Sequence, residues 1–348
     1  MSSLVSPAKD VSMLFISVIV PILNEEEFIA QTLDGLLEQD YPEEAFEILV
    51  VDGESTDGTC EIVKRYVAKH ANVKLLSNPK KWSSAARNVG INASSGDVVI
   101  VVDGHCQFFD NQYLRNVEAA FRRPNIDCLG RPQPLDVSDG NLLQEGIALA
   151  RASRLGHHPD SFIYASQEQV VPAHSVGVAY RKSVFDKVGG FDESFDACED
   201  VELNHRVDKA GLSCLLVPNI RLRYYPRASL RGLFRQMARY GRGRVRLLRK
   251  HADTFSITSL MPAMFLAFLI FGGIAMSLVP MLRIPYFAVA GIYLVVVLAF
   301  SVMLSVKAKK IQLLWTMPCV FGAIHFGAAW GSLKELLLGK AAPDKLDR

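Results

Sequence analysis

The N-terminal third of the chain alternates short runs of apolar, β-branched residues with stretches that carry apolar side chains at helical spacing. This pattern predicts buried strands at residues 16–21, 47–51, 73–76 and 98–102. It predicts helices that begin at Asn24, a good N-cap residue, and that cover residues 59–69 and 84–93. The β-α-β-α order predicts an α/β fold with a parallel sheet covered by helices on both faces. In such folds ligands bind beyond the carboxyl ends of the strands.

A different pattern fills residues 255–333. Segments 258–282, 285–306 and 311–333 contain no Asp, Glu, Lys or Arg, and each is longer than the ~20 residues that cross a bilayer as a helix. They predict membrane helices, and close contacts between them at Gly272, Gly273, Gly322, Gly327 and Gly331. The lysines at 307, 309 and 310 should face the cytoplasm, which puts the N-terminal domain there too. Three crossings are expected, although they would export a basic tail. A re-entrant or interfacial segment is the alternative.

The average composition hides a separation of charge along the chain. The 348 residues are 50% hydrophobic and 21% charged, with a formal net charge of +2, which argues against a dedicated nucleic-acid binder. Residues 221–251 contain ten Arg, one Lys and no acid, so this stretch carries +11 and the rest of the chain carries −9. The six cysteines have no zinc-ligand spacing.

The basic stretch predicts an amphipathic helix. At ~100° per residue, one side of it carries Arg231, Arg235, Arg239, Arg242, Arg246 and Arg249. Apolar residues lie opposite, and the stretch offers these arginines no acidic partner. We expect a helix at the membrane surface that binds anionic lipid or a diphosphate. The alternatives are a solvated basic face and a helix that breaks at Gly241 or Gly243.

Polar side chains follow the first two predicted strands directly. The loops PILNEE and VDGESTDGT contain Asn24, Glu25 and Asp52. An aspartate fixed at a strand end can accept a hydrogen bond from the N3–H of uracil, which would favour a uridine nucleotide. The alternative is helix capping by Asn24 and by Ser55 or Thr56.

The fourth predicted strand is followed by Asp103-Gly104-His105. An Asp and a His two residues apart on a turn can both reach one divalent cation, which would neutralise a nucleotide diphosphate. The alternative is a strand-end aspartate beside an exposed histidine. Arg87 lies upstream and can either line the same cleft or make an ion pair on its own helix.

A second group of acids lies in GGFDESFDACEDVE, where Glu199 and Asp200 open a predicted helix that ends near Gly211. Acids at a helix start usually stabilise the positive end of its dipole. An acid there can also be a general base at the mouth of a cleft.

Together these motifs resemble the family 2 inverting glycosyltransferases of GT-A fold, over about residues 15–250. They occur in the family's order as PxxNE, VDGESTDGT, ARNxG, Asp-x-His in place of Asp-x-Asp, GGFDE…ED and QxxRY. The Asp-x-His variant, the RYGRGR run and the apolar C-terminal segments are similar to the membrane-anchored succinoglycan-biosynthesis branch. The resemblance implies a Rossmann-like GT-A (nucleotide-diphospho-sugar transferase) domain followed by transmembrane helices.

The resemblance also implies a role for each matching residue. Those implied to bind the nucleotide sugar are Pro21, Asn24, Glu25, Asp52 at the uracil, Arg87 and Asp103. Asp103 and His105 would hold a divalent cation, either Mn²⁺ or Mg²⁺. Asp200 would be the catalytic base. The acceptor and diphosphate side is implied to consist of Glu199, Gln236, Arg239 and Tyr240.

Three residues depart from the family pattern. Gly53 replaces the second acid of VDDGSTD, which removes any ribose contact made by that acid. His105 replaces an acid, so the site carries less negative charge and should prefer softer ions than Mg²⁺. Tyr240 replaces a tryptophan and offers a smaller stacking surface.

The expected protein moves a hexose from a UDP-sugar, with UDP-glucose favoured, to a saccharide on a polyprenyl diphosphate in surface-glycan synthesis. The alternatives are a polymerising polysaccharide synthase and a catalytically silent sugar-nucleotide-binding scaffold. The expected division is a cytoplasmic catalytic domain (1–228), an arginine-rich interface helix (229–251), a membrane domain (252–337) and a polar tail (338–348). The expected location is the inner (plasma) membrane, with no nucleic-acid partner.

Overall fold

The computed structural model describes residues 13–138, 140–157 and 161–339. Part of the predicted polar tail, residues 340–348, lies outside the described residues. The strands in the described residues are β1 (Ile16–Ile22), β2 (Phe46–Asp52), β3 (Val73–Ser77), β4 (Val98–Val101), β5 (Gln107–Phe108), β6 (Cys128–Gly130), β7 (Gln169–Val171), β8 (Gly177–Arg181), β9 (Cys214–Leu216) and β10 (Leu222–Arg223).

Eight of these strands form one sheet in the order β3-β2-β1-β4-β8-β6-β9-β7, and β5 pairs with β10 in a small second sheet. β1 to β4 are parallel, as the sequence predicts. Beyond the four predicted strands the sheet is mixed, because β8 runs antiparallel to both β4 and β6. The later strands are only three to five residues long and lack the long apolar runs that identify the first four.

Helices cover both faces of the sheet. Those of the N-terminal region are α1 (Ile29–Leu37), α2 (Thr59–Val67), α3 (Ser83–Ala93), α4 (Tyr113–Phe121), α5 (Leu142–Ala152), α6 (Lys182–Val188), α7 (Glu199–Lys209) and α8 (Leu230–Lys250). Alternate strand residues point to opposite faces. Val18 and Val50 therefore pack in one apolar core with Leu33 of α1, while Ile19 and Leu49 pack in the other with α3.

The predicted helix start at Asn24 is wrong, because α1 begins at Ile29. Asn24 has a positive φ of 55°, and its side chain bonds across to the loop after β2 instead of capping a helix. The Asn24 Oδ1 accepts a hydrogen bond of 2.8 Å from the Thr56 backbone N–H, and the Ser55 hydroxyl accepts one of 2.8 Å from the Asn24 N–H. The two polar loops are therefore joined to each other.

Three long apolar helices complete the described chain: α9 (Ile257–Leu278), α10 (Arg283–Lys307) and α11 (Leu313–Leu338). All three are long and apolar enough to cross a membrane, which agrees with the sequence prediction. The three helices differ in burial. Within the most apolar 18 residues of each helix, 6% are buried in α9, 17% in α10 and 44% in α11. α11 is therefore packed against the rest of the chain to a degree that α9 and α10 are not.

α11 packs against α9, α5 and α10, but its main partner is the arginine-rich helix α8. α8 is continuous through Gly241 and Gly243 and does not break there. A Cβ on Gly331 of α11 would lie 1.9 Å from the backbone oxygen of Ala238, and a Cβ on Gly241 would lie 2.2 Å from that of Ala328. The two helices thus meet backbone to backbone along a seam of glycines. Gly327 and Gly331 make the close contact predicted for them, but with α8 rather than with another apolar segment.

Candidate functional site

The carboxyl ends of β1 and β4 lie side by side, since Ile19 pairs with Val101 in a parallel register. The loop after β1 brings Glu25 against the turn after β4, where a Cβ on Gly104 would lie 3.3 Å from Glu25 Cγ. The His105 Nδ1 is 3.2 Å from Glu25 Oε1. This contact raises the pKa of His105, with Asp103 adding to the effect and burial opposing it. The site therefore holds an imidazole between two carboxylates.

Asp103 is held from two sides. Its Oδ2 accepts a hydrogen bond of 3.2 Å from the Tyr224 hydroxyl, and its Oδ1 is 4.0 Å from Nη2 of Arg87. Behind Tyr224 lies Arg131, which is 2% exposed and donates to the hydroxyls of Tyr224 and Tyr113. The Asp103 carboxylate is thus held by two partly buried neighbours, one of which is backed by the buried Arg131.

Arg87 and Glu199 form a buried ion pair, with Nη1 3.0 Å from Oε1 and the side chains 12% and 11% exposed. The guanidinium also stacks on Phe191, 5.1 Å from the ring centre. Burial raises the pKa of Glu199, and Arg87 opposes that rise. Asn88, the next residue of α3, accepts a hydrogen bond of 2.8 Å from the Phe191 N–H. The ARN triplet therefore fixes both the α7 start and the GGFDE loop.

Asp200 is exposed in the first turn of α7, beside the buried Glu199. Cys198, which precedes Glu199, has a φ of 62°, in the left-handed region. This turn is pressed against α8, since a Cβ on Gly243 would lie 2.7 Å from Cys198 Sγ. Gly243 thus allows the close approach that directs Asp200 outward.

α8 supplies the side of the site opposite the strand ends. Arg239 Nη2 donates a hydrogen bond of 2.8 Å to the backbone oxygen of Asp196. The Tyr240 ring is 42% exposed, and its hydroxyl lies 3.5 Å from Gln236 Nε2. An exposed ring with polar neighbours can stack on a sugar while those neighbours bind its hydroxyls.

These groups line one cleft with a volume of about 700 Å³. It contains nine of the twelve residues that the sequence predicts for the site, namely Glu25, Arg87, Asp103, His105, Glu199, Asp200, Gln236, Arg239 and Tyr240. A shallower pocket of about 660 Å³ beside α1 and β5 contains none of the twelve. The sequence motifs therefore converge at one place.

Pro21, Asn24 and Asp52 lie next to the cleft rather than on its wall. Pro21 is part of β1 and pairs with Val51. The Asp52 carboxylate is at the end of β2 and accepts from the Ser55 N–H at 3.2 Å. The departure at Gly53 has a steric counterpart, since a Cβ there would lie 3.1 Å from the Lys81 backbone oxygen.

The arginine face of α8 has acidic partners that its own sequence does not reveal. Arg246 Nη1 is 2.7 Å from Asp196 Oδ1, and Arg242 Nη2 is 3.3 Å from Asp196 Oδ2. Arg246 Nε is also 3.0 Å from Glu335 of α11. Arg249 Nη1 lies 3.5 Å from the same glutamate. The expectation of an unpaired cationic face is wrong for these three arginines, because acids distant in sequence fold against them.

Candidate metal ligands occur at two places. In the cleft they are Asp103 and His105, an oxygen donor and a nitrogen donor, with Glu25 behind the histidine. Away from it, one ligand atom each of His205, His251 and Asp253 lie within 4.8 Å of one another. Lys209 Nζ lies 3.0 Å from Asp253 in that group, and a cation so close opposes metal binding there.

The cleft residues that are not predicted from the sequence include three polar ones: Arg131, Arg151 and Tyr224. Arg131 and Tyr224 each follow a short strand, and Arg151 lies on a helix whose sequence has no recognisable motif. Tyr224 belongs to the RLRYYP run after β10, where the adjacent arginines draw attention to charge rather than to the hydroxyl. Only the fold brings these three residues to the cleft.

Comparison with known proteins identifies relatives over most of the chain. The family model described as Glycosyl transferase family 2 matches residues 17–189. Succinoglycan biosynthesis protein ExoA of Rhizobium meliloti is 32% identical over 247 residues, which are 70% of this chain and 73% of that protein. A Methanococcus voltae protein is 28% identical over 336 residues, 94% of this chain and 98% of its own length. That relative is named dolichyl N-acetyl-alpha-D-glucosaminyl phosphate 3-beta-D-2,3-diacetamido-2,3-dideoxy-beta-D-glucuronosyltransferase.

Among solved structures, the chain is similar to the mannosyltransferase PcManGT from Pyrobaculum calidifontis in complex with GDP-Man and Mn²⁺. The TM-score is 0.57 at 20% sequence identity, and the match covers 94% of this chain and 88% of the other. At this identity the similarity concerns the fold, which is of GT-A type. The expected fold class is thus confirmed.

Proposed function

The chain belongs to glycosyl transferase family 2, and from that premise we propose that it is a membrane-anchored inverting hexosyltransferase. The donor is a UDP-sugar and the acceptor is a saccharide carried on a lipid phosphate or diphosphate. The observation that carries the proposal is the convergence of nine predicted site residues on one cleft. Inverting glycosyl transfer uses a base for the acceptor hydroxyl and positive charge at the leaving diphosphate, and an aromatic ring can bind the acceptor sugar. This cleft has candidate groups for all three tasks.

The donor half of the cleft lies at the ends of β1, β2 and β4. Asp52 is the proposed contact for uracil, with Pro21 and Asn24 bordering the nucleoside. Asp103 and His105 fit a divalent cation, because a carboxylate and an imidazole are both good ligands for Mn²⁺. A bound cation there would neutralise the diphosphate of the donor. Arg239 is the proposed second partner of that diphosphate.

Asp200 is the proposed general base. It is exposed to the cleft while its neighbour Glu199 is buried against Arg87, so the two acids are suited to different tasks. The Asp200 carboxylate accepts the proton of an acceptor hydroxyl as that oxygen bonds to the anomeric carbon. The bond from that carbon to UDP breaks on the opposite face. One displacement inverts the centre and gives a β-linkage from an α-linked donor.

The acceptor assignment is supported by the way the cleft adjoins the apolar helices. α8 carries Tyr240 on the cleft and packs along α11, and few residues of α9 and α10 are buried inside the protein. The Methanococcus voltae relative is itself named for a dolichyl phosphate acceptor. We place the catalytic domain in the cytoplasm at the inner (plasma) membrane, as the lysines after α10 favour.

The test is a panel of UDP-sugars added to membranes that contain the full chain, with and without a lipid-linked acceptor and Mn²⁺. The proposal predicts UDP release from one or few donors, dependent on both the acceptor and the ion. Release of no UDP from any donor, with UDP still bound, would favour the silent scaffold. A product that grows by many sugars would favour a polymerising synthase.

A further inference from the structure

Arg151 is a half-buried cleft arginine to which the donor half assigns no role. It lies on α5 and lines the cleft, with its guanidinium 5.7 Å from the ring centre of Tyr240. Tyr164 is also adjacent, since Arg151 opposes the rise that burial causes in the pKa of that tyrosine. Arg151 therefore faces the side of the cleft proposed to hold the acceptor sugar.

The Arg151 guanidinium has no carboxylate partner in the part of the chain that the structure describes. Its Nε is buried and without a hydrogen-bond partner there, and its Nη1 lies 3.7 Å from the Met237 sulfur, a weak acceptor. Arg87 in the same cleft is neutralised by Glu199. A half-buried cation without a counter-ion is costly unless an anion binds it.

The position of Arg151 indicates which anion this is. Ile147, one turn earlier on α5, also lines the cleft and belongs to the apolar cluster that contains Val297 and Leu304 of α10. Arg151 thus lies on the side of the cleft where α5 packs with α8, α11 and the C-terminal half of α10. A phosphate on a lipid beside α10 would reach it from that side.

We propose that Arg151 binds the phosphate that links the acceptor sugar to its lipid carrier. This assignment rests on the proposed function and deepens it. A charged hydrogen bond to phosphate contributes about 1.5–3 kcal/mol, so its loss should weaken acceptor binding roughly 10- to 100-fold.

The experiment compares the wild-type chain with Arg151→Met in neutral detergent. Two acceptors are used, one with the sugar on a polyprenyl phosphate and one with the same sugar on an uncharged alkyl chain. We expect Arg151→Met to raise KM about 10-fold or more for the phosphate acceptor only, with KM for the UDP-sugar unchanged. Arg154 follows α5, is exposed and lies outside the cleft. The control variant Arg154→Met should therefore change neither the KM for the phosphate acceptor nor the KM for the UDP-sugar.

Each other result contradicts the assignment. An equal rise for both acceptors would indicate a structural role, and a rise in the KM of the UDP-sugar would assign Arg151 to the donor. If Arg151→Met has an effect only when the assay is repeated in bilayers that contain phosphatidylglycerol, Arg151 binds bulk lipid headgroups instead. A wild-type chain that transfers to neither acceptor would overturn the proposed function itself.

A second, independent observation concerns α11, which is tied to the N-terminal domain at both ends. Lys310, just before it, lies 2.6 Å from Glu145 of α5. Glu335, in its last turn, is 4% exposed and lies 3.0 Å from Arg246 of α8. His325, near its middle, bonds to the Leu155 backbone oxygen at 2.9 Å. A helix whose start, middle and end all touch one domain runs along that domain.

The contact with α8 sharpens this point. α11 approaches α8 to backbone distance at Gly331, and α8 is the helix that carries the arginine face. A helix with so many arginines does not enter hydrocarbon, because a charged side chain is strongly unfavourable at the bilayer centre. The helix that runs along it therefore stays out of the bilayer core as well.

We infer that only α9 and α10 cross the membrane, as a hairpin, and that α11 lies on the cytoplasmic side with the catalytic domain. A two-crossing hairpin returns the chain to the side on which it began. The lysines between α10 and α11 and those after α11 then share one side, as the distribution of basic residues favours. The exported basic tail that three crossings would require does not arise.

Cysteine labelling of the full chain in intact bacterial cells tests this topology. In a background with the exposed Cys319 replaced by Ser, single variants Met281→Cys, Lys309→Cys and Leu338→Cys report the three ends of the helices. We expect a membrane-impermeant maleimide to label position 281 in intact cells, and positions 309 and 338 only after permeabilisation. Labelling of 338 in intact cells would establish a third crossing. Failure to label 281 in intact cells would show that α9 and α10 do not cross.

Discussion

Arg87 on α3 and Glu199 on α7 are joined by an ion pair of 3.0 Å that is nearly closed to solvent. It connects the motif ARNxG to the start of the helix that carries Asp200. The pair also separates the roles of two adjacent acids, since Glu199 is neutralised by Arg87 while Asp200 stays exposed. The geometry of the proposed base thus depends on a residue more than one hundred positions earlier in the chain.

Removing one partner of this pair should destabilise the protein. Arg87→Met leaves a buried carboxylate without its counter-ion, at a cost of roughly 3 kcal/mol, and should lower the Tm in detergent by about 5 °C or more. The double variant Arg87→Met/Glu199→Leu should recover most of that Tm but none of the UDP release. A single variant with wild-type Tm would show that the pair contributes little to stability.

Tyr224 should affect donor binding through its hydrogen bond to Asp103. Tyr224→Phe removes the hydrogen bond of 3.2 Å to that carboxylate and the acceptor for Arg131. If the lost hydrogen bond contributes about 1–2 kcal/mol to donor binding, the KM of the UDP-sugar should rise roughly 5- to 30-fold. Tyr66→Phe is the matched control, because it removes a tyrosine–aspartate bond of 2.6 Å outside the cleft. Equal effects of both variants on KM would argue against a role for Tyr224 in the site.

The glycine seam between α8 and α11 predicts that a Gly→Ala substitution within the seam destabilises the protein, whereas the same substitution outside it does not. Gly331→Ala would put a Cβ 1.9 Å from the Ala238 backbone oxygen, whereas a Cβ on Gly291 of α10 meets nothing within 4 Å. Gly331→Ala should therefore lower the Tm by several degrees, and Gly291→Ala should leave it unchanged or raise it slightly through helix propensity. The contrary result would be a Gly331→Ala protein as stable as the wild type.

Glu47 should make the protein sensitive to acid. Its buried carboxylate accepts from Ser17, Ser95 and Lys74, and although burial opposes them, these bonds lower its pKa to about 2. Because the folded-state pKa is depressed, this stabilisation is present above about pH 4.5 and is lost as the pH falls towards 2. It amounts to on the order of 3 kcal/mol.

Thermal unfolding between pH 7 and pH 2.5 measures this effect. Glu47→Gln should lower the Tm at pH 7 and flatten its dependence on pH below 4.5. Glu61→Gln, which alters a fully exposed ion pair with Lys64, should leave the acid dependence as in the wild type. A Glu47→Gln protein whose Tm still falls as steeply in acid would assign the sensitivity to other carboxylates.

The sequence predicts the parts of this fold that are set locally. The apolar runs of β1 to β4 and the charge-free segments identify themselves, because burial in a parallel sheet or in lipid requires long apolar stretches. The antiparallel β8 is not predicted, since five residues carry no periodic signal and its position depends on its neighbours. The same holds for Asn24, where a bond to the next loop replaces the helix cap that its residue type favours.

The candidate site divides in a similar way. Residues within motifs, such as Asp103, His105 and Asp200, are found from the sequence because strand ends and helix starts bring them to one edge of the sheet. Arg131, Arg151 and Tyr224 are not found, because their place in the cleft depends on long-range packing. The partners of Arg246 are also hidden, since Asp196 and Glu335 lie 50 and 89 positions away from it in the sequence.

The proposed reaction is tested most directly by Asp200→Asn in the full chain, with UDP release and UDP affinity measured on the same preparation. The substitution keeps the size of the side chain and removes its ability to accept the acceptor proton. We predict that acceptor-dependent UDP release falls by at least about 100-fold, while the Kd for UDP stays within about threefold. Near-normal UDP release by Asp200→Asn would contradict the assignment of the catalytic base and the reaction proposed for this cleft.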